Sequence, residues 1–273
     1  MNPATPRIAE LTAHANWRVV DFISDLHLQA SEPQTVQAWE HYMAHTRADA
    51  VFILGDLFEV WVGDDELGAS SNAPDSAAGF EDACARSLLA ASRHCAIFFM
   101  HGNRDFLFGA AAAQACGLGL LDDPTALTFA SQRWLLTHGD ALCLSDTDYL
   151  QFRNRVRSLE WRQAFLAKPL AERRAIALSL RAQSEARKRS GAIYADVDTP
   201  EAIRWLEAAE AHELIHGHTH KPADHEFGQG LRRRVLSDWD AAASPARAQV
   251  LRLTQENPAD PVQVQRLAPV NAC

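Results

Sequence analysis

The stretch Val51-Phe52-Ile53-Leu54-Gly55-Asp56-Leu57-Phe58-Glu59 reads as a buried strand that stops at a glycine and delivers a carboxylate. Its apolar run suits a strand covered on both faces. Gly55 ends the run and leaves Asp56 at the strand tip with no side chain beside it. A carboxylate so placed has two oxygens and can bridge two cations. Four other segments repeat the plan. Val19-Val20-Asp21-Phe22-Ile23-Ser24 leads into Asp25-Leu26-His27, and Ala96-Ile97-Phe98-Phe99-Met100 leads into His101-Gly102-Asn103-Arg104-Asp105. Trp134-Leu135-Leu136-Thr137 leads into His138-Gly139-Asp140, and Glu213-Leu214-Ile215 leads into His216-Gly217-His218-Thr219-His220. Five such strand ends describe a site.

Asp25 and His27 stand at i and i+2, as do His218 and His220. In extended chain each pair lies on one side and can clasp a cation. With Asp56, Asn103 and His138 they form a mixed nitrogen and oxygen set suited to Mn²⁺, Fe²⁺, Zn²⁺ or Co²⁺. Seven ligands exceed the need of one ion. Two ions about 3.5–4 Å apart sharing Asp56 account for all of them. The dominant use of such a pair is hydrolysis of a phosphate ester or anhydride, with Arg104 adding a fixed positive charge for a second phosphate. His101 and His216 precede ligand positions and are expected to point into the fold or to support the ligands.

Bulk properties bound the class. The 273 residues are 47% hydrophobic and 22% charged, ordinary for a globular protein with a sizeable core. A formal charge of −9 argues against a nucleic-acid binder. The five cysteines lack CxxC spacing, which disfavours a disulfide framework or zinc knuckle and fits a reducing compartment. No secretory signal or membrane span is evident, so a cytoplasmic location is expected.

Along the chain, 1–16 reads as a loose leader. Helices are predicted at 33–46, 81–92, 109–116 and 200–211, and closing strands at 232–236, 249–253 and 262–267. Residues 67–79 read as a mobile loop rich in small residues. From 149 to 189 the chain turns basic and amphipathic, reading as two helical pieces parted by Pro169. Basic residues beside an apolar face suit an anionic membrane surface and an amphiphilic substrate.

These motifs resemble the calcineurin-like metallophosphoesterases, whose blocks run D-x-H, G-D, G-N, H and G-H-x-H. Many members carry a general-acid His after the Asn; here that position is Arg104. The longer blocks at 55–65, 101–109, 137–143 and 215–222 are similar to the UDP-2,3-diacylglucosamine pyrophosphohydrolase family of lipid A biosynthesis. The resemblance implies an α/β fold, a four-layer αββα sandwich with a helical cap insertion at 149–189 and a core at 17–148 and 190–273. It implies one Mn²⁺ on Asp25, His27, Asp56 and His220, and a second on Asp56, Asn103, His138 and His218. Asp56, Asn103, Arg104 and His138 would be catalytic. Asn103, Arg104, Asp146, Ser184, Arg187, Lys188 and His218 would meet the substrate, a UDP-linked diacylated glucosamine lipid. Water attack on the α-phosphorus would then give UMP and 2,3-diacylglucosamine 1-phosphate. A monomer on the cytoplasmic face of the inner membrane is the corresponding expectation. The competing readings are turnover of another nucleotide diphosphate and a non-catalytic metal-bound scaffold.

Overall fold

All five residues of the strand Ala50–Leu54 are buried, because its sheet is covered on both sides. The computed structural model describes residues 6–68, 79–189 and 195–273, with the backbone alone for 183–189. In chain order its elements are β1 (Ala9–Thr12), β2 (Val19–Ile23), α1 (Pro33–His45), β3 (Ala50–Leu54), α2 (Phe80–Ala91), β4 (Ala96–Met100), α3 (Ala110–Cys116), β5 (Gly119–Leu121), β6 (Thr125–Phe129) and β7 (Gln132–Thr137). Then follow α4 (Thr147–Val156), α5 (Leu159–Leu166), α6 (Leu170–Arg189), α7 (Thr199–Ala208), β8 (Glu213–His216), β9 (Ala223–Gly228), β10 (Leu231–Val235), β11 (Val250–Thr254) and β12 (Gln263–Leu267).

Two six-stranded sheets form, ordered β12-β11-β2-β3-β4-β5 and β1-β6-β7-β8-β10-β9. Strand alternation explains the layers. Val51 and Ile53 face one way, onto Trp39 and Met43 of α1 and Leu88 of α2. Phe52 and Leu54 face the other way, into a core shared with Leu127, Trp134, Leu136 and Ile215 of the second sheet. Phe52 is stacked between Phe22 and Phe98, with centroids 5.1 and 5.0 Å away. Behind the second sheet, Leu135 and Leu214 pack on Ala202 and Leu206 of α7. The order helix, sheet, sheet, helix is the four-layer αββα sandwich.

Two expectations need correction. Within the segment read as a loose leader, Ala9–Thr12 are a strand pairing parallel with β6, Leu11 opposite Leu127. Leu11 packs on the inter-sheet core, and four residues of weak alternation did not signal this edge strand. The basic segment holds three helices, not two. Pro169 parts α5 from α6, but an earlier break falls at Ser158, whose side chain accepts from Trp161 N and caps α5. The strand β9 was also missed, being a polar edge strand with half of its residues exposed. The loop read at 67–79 falls for residues 69–78 outside the described residues.

The cap helices are held down by charge. Arg173, 2% exposed, donates to Val62 O at 2.6 Å and pairs with Asp65, while Arg174 pairs with Glu66. Among the cap's basic residues, then, several turn inward to core carboxylates instead of facing outward. Among the described residues, no helix is long and apolar enough to cross a membrane.

Candidate metal centre

The seven predicted residues converge. Asp25 and His27 follow β2, Asp56 follows β3 and Asn103 follows β4. His138 follows β7, while His218 and His220 follow β8. These strands run parallel within each sheet, so their carboxyl ends open on one crevice, where ligands bind in open α/β sheets.

Two clusters are built there. His27 Nε2 lies 3.3 Å from His220 Nε2, which lies 3.3 Å from Asp25 Oδ1. Asn103 Oδ1 lies 3.1 Å from His138 Nε2 and 2.9 Å from His218 Nδ1. Asp56 stands between them, with Oδ2 3.8 Å from His27 Nε2 and Oδ1 3.8 Å from His138 Nε2. Asp25, His27 and His220, and likewise Asp25, Asp56 and His138, each offer ligand atoms within 4.8 Å of one another.

The local backbone is bent to this end. Asp25, His27, Asp56, His218 and His220 all have φ between 48° and 67°, the left-handed region that costs non-glycine residues energy. Five strained residues among seven candidates mark a site. Close approach also dictates two glycines. A Cβ on Gly102 would strike the Asp56 carboxylate, and one on Gly217 would strike the Asp25 carboxylate and the Ser24 hydroxyl.

The donor chemistry fits divalent cations. Two imidazole nitrogens facing each other at 3.3 Å have at most one proton between them, and a cation satisfies both lone pairs. Burial disfavours the protonated form of His138, yet the charges of Asp56, Asp25 and Asp140 outweigh it and push this imidazole up to about 9. That is the mark of carboxylates short of positive charge. Burial and His138 push His218 down to about 4, leaving a neutral ring with a lone pair to offer. Burial works to raise Asp25, but His220 beside it holds the carboxyl below the usual range. Asp25 also accepts the backbone N–H of His218 at 2.9 Å, tying the two sheets together.

Supporting residues that the sequence reading did not single out complete the centre. Asp105, fully buried, accepts from Leu57 N at 2.7 Å and Gly102 N at 2.8 Å, fixing the loops after β3 and β4. Glu59 contacts His27 Nδ1 at 2.9 Å, Arg104 Nη1 at 3.3 Å and Arg181 Nε at 2.9 Å. Asp140 accepts from Tyr149 Oη at 2.6 Å and Arg153 Nε at 2.8 Å. The signal was available: all three sit two or three residues beyond candidate ligands. His101 and His216 turn away from the clusters, to Phe108 O at 2.6 Å and Arg233 Nε at 2.8 Å.

Arg104 sits at the edge of the clusters, and its buried Nε has no acceptor among the described residues. It borders a cavity of about 520 Å³ beneath the cap, lined by Asn103 and by Phe106, Phe152, Val156, Trp161 and Phe165. Asp146 also lines this cavity while capping α4 through Tyr149 N at 3.2 Å. Ser184, Arg187 and Lys188 lie on α6, but their side chains are outside the described residues.

The calcineurin-like phosphoesterase family model matches residues 19–222. Three curated proteins named UDP-2,3-diacylglucosamine hydrolase are similar to this chain. That of Cellvibrio japonicus is 44% identical, covering 80% of this chain and 90% of its own. That of Chromobacterium violaceum is 45% identical over 81% and 90%, and that of Chromohalobacter salexigens 40% identical over 86% and 93%.

Proposed function

From the membership of this chain in the calcineurin-like phosphoesterase family, as a phosphorus-anhydride hydrolase, we propose that it cleaves the diphosphate of UDP-2,3-diacylglucosamine. Water attacks the α-phosphorus, and UMP and 2,3-diacylglucosamine 1-phosphate leave, a step of lipid A assembly. The observation that carries this reading is the apolar cavity of about 520 Å³ that opens on the donor clusters at Asn103 and Arg104. Acyl chains need an apolar chamber, and a diphosphate needs fixed positive charge at its mouth.

In this reading Asp25, His27, Asp56 and His220 would hold one Mn²⁺, and Asp56, Asn103, His138 and His218 would hold the other. When bound, such ions lower the pKa of water and neutralise phosphoryl charge. The chain's own residues do the rest. Arg104 draws the diphosphate into line, its guanidinium held by Glu59. The aromatic wall of the cavity excludes bulk water and strengthens that attraction. Asp146 contacts the sugar and its phosphate from the start of the cap; the contacts expected of Ser184, Arg187 and Lys188 fall on side chains outside the described residues.

The test is mass spectrometry of the products from UDP-2,3-diacylglucosamine in ¹⁸O water. Label in UMP supports the reading. Label in the sugar phosphate refutes the attack site, and no cleavage refutes the substrate. Chelator should abolish turnover and Mn²⁺ restore it; indifference to chelator would remove the metal mechanism. Arg104→Ala should lower kcat/KM by the equivalent of about 2–5 kcal/mol, since it strips a desolvated charge partner from the diphosphate. An unchanged kcat/KM would leave Arg104 a merely structural residue.

The cap is also the surface that meets the inner membrane. Leu159 and Leu178 are 66% and 58% exposed on it, with exposed Arg155 nearby in sequence. Co-sedimentation with anionic vesicles should fall when Leu159 and Leu178 are changed to Ser; equal binding by the variant would count against docking through this face.

A further inference from the structure

A second cavity, about 240 Å³, opens on the opposite flank of the donor clusters, past His27 and His220. It shares Glu59, Arg104 and Arg181 with the cavity under the cap, so the two meet where the diphosphate would lie. Their walls differ in kind. The larger is mainly aromatic and aliphatic, with Asp146, Asp148, Arg153 and Arg157 also in its wall, whereas the smaller is lined chiefly by Gln29, Glu32, Thr35, Asp238, Asp240 and Arg247.

We propose that the smaller cavity binds the nucleoside half of the substrate, with Asp240 and Arg247 as its recognition residues. The proposal rests on the reading of the substrate as a nucleoside diphosphate joined to an acylated sugar. A substrate with two unlike halves about a diphosphate needs two unlike chambers about one reaction centre. Acyl chains take the apolar one, which leaves the polar one for ribose and base.

Charge narrows the occupant. Beyond the shared Arg104 and Arg181, the wall carries Glu32, Asp238 and Asp240 against the single guanidinium of Arg247. A further phosphate would be repelled there. A neutral group rich in hydroxyl donors is matched, since carboxylates accept from the vicinal hydroxyls of ribose.

Arg247 supplies a surface for the base. Its Nε donates to Asp238 Oδ2 at 3.0 Å and its Nη2 to Asp240 Oδ2 at 3.0 Å. The backbones of Asp240 and Arg247 bond each other in both directions, at 2.6 and 2.9 Å. The guanidinium plane is thus held at both ends while the side chain stays 48% exposed. A planar cation fixed in that way is a stacking platform for a pyrimidine. Asp238 in addition faces His220 Nδ1 at 3.8 Å, so substitutions there would also disturb the donor clusters. Asp240 and Arg247 are the informative positions.

The experiment is calorimetric binding of UMP, 2′-deoxy-UMP and 2,3-diacylglucosamine 1-phosphate to the Mn²⁺-loaded protein. Arg247→Ala should weaken UMP about tenfold while changing the lipid product less than about twofold. Wild type should prefer UMP to 2′-deoxy-UMP about tenfold, and Asp240→Ala should erase that preference. Leu180→Asn, in the cap cavity, should weaken the lipid product and spare UMP. Equal UMP affinity in wild type, Arg247→Ala and Asp240→Ala would overturn the subsite, as would parallel loss of both products. Turnover of the lipid-linked substrate by wild type is scored separately: its absence sinks the functional reading, whereas turnover with unshifted UMP binding sinks only the nucleoside subsite.

Discussion

Replacing Asp56 by alanine is expected to reduce turnover by at least about a thousandfold while leaving the fold intact. The carboxylate presents one oxygen to His27 and the other to His138, each at 3.8 Å, so its loss strips a donor from both clusters at once. Several kcal/mol of transition-state stabilisation depend on ions held in such a site, which is the source of that factor. Asp56 Oδ1 also accepts from Arg104 N at 2.8 Å, so the residue proposed to draw the diphosphate is released with it. Stability should change little, because removing one carboxylate from a crowded acidic cluster relieves repulsion. Rate measurements on Mn²⁺-loaded variant and wild type, with circular dichroism beside them, decide the matter. Substantial remaining turnover would contradict the bridging role.

Asp140→Ala should have the larger effect on stability, about 3–5 kcal/mol, with a fall in Tm of roughly 10 °C. This carboxylate is fully buried, yet Tyr149, Arg153 and Arg157 of the first cap helix and its end all reach it. Burial alone would raise its pKa; the guanidinium groups of Arg157 and Arg153 hold it well below the usual carboxylate range. Without it Arg157 loses this carboxylate partner, Arg153 keeps Asp123 at 3.9 Å, and the cap loses its anchor beside His138. KM for the lipid-linked substrate should rise with the stability loss, since the cap forms the roof of the larger cavity. Thermal unfolding and steady-state kinetics read both effects. A variant melting within a degree or two of wild type would show that the hub contributes nothing net.

The donor set was legible because its grammar is local. Each donor follows an apolar strand, and the pairs Asp25/His27 and His218/His220 announce themselves by spacing. The strands and helices of the core were legible for a similar reason, since β3 is apolar on both faces and α1 opens at Pro33. What escaped depends on distance in sequence. Glu59 stands three residues past Asp56, but its pairing with Arg181 joins points far apart along the chain, and nothing near either residue states that meeting. Likewise the cap's arginines look like a solvated basic stripe until Asp65, Glu66 and Asp140 are brought beneath them. The edge strand β1 was invisible because its partner, β6, lies more than a hundred residues away.

Four of the seven donors hang from one sheet and three from the other, so any ion pair they hold lies astride the seam of the sandwich. Ion loading would then act as a rivet between halves that otherwise meet at that level through apolar side chains and polar ties such as His218 N to Asp25 and His138 Nδ1 to Leu54 O. Under hydrostatic pressure or dilute urea, the emptied protein should gape first at this rim, and amide exchange at the strand ends there should register whether the site is loaded.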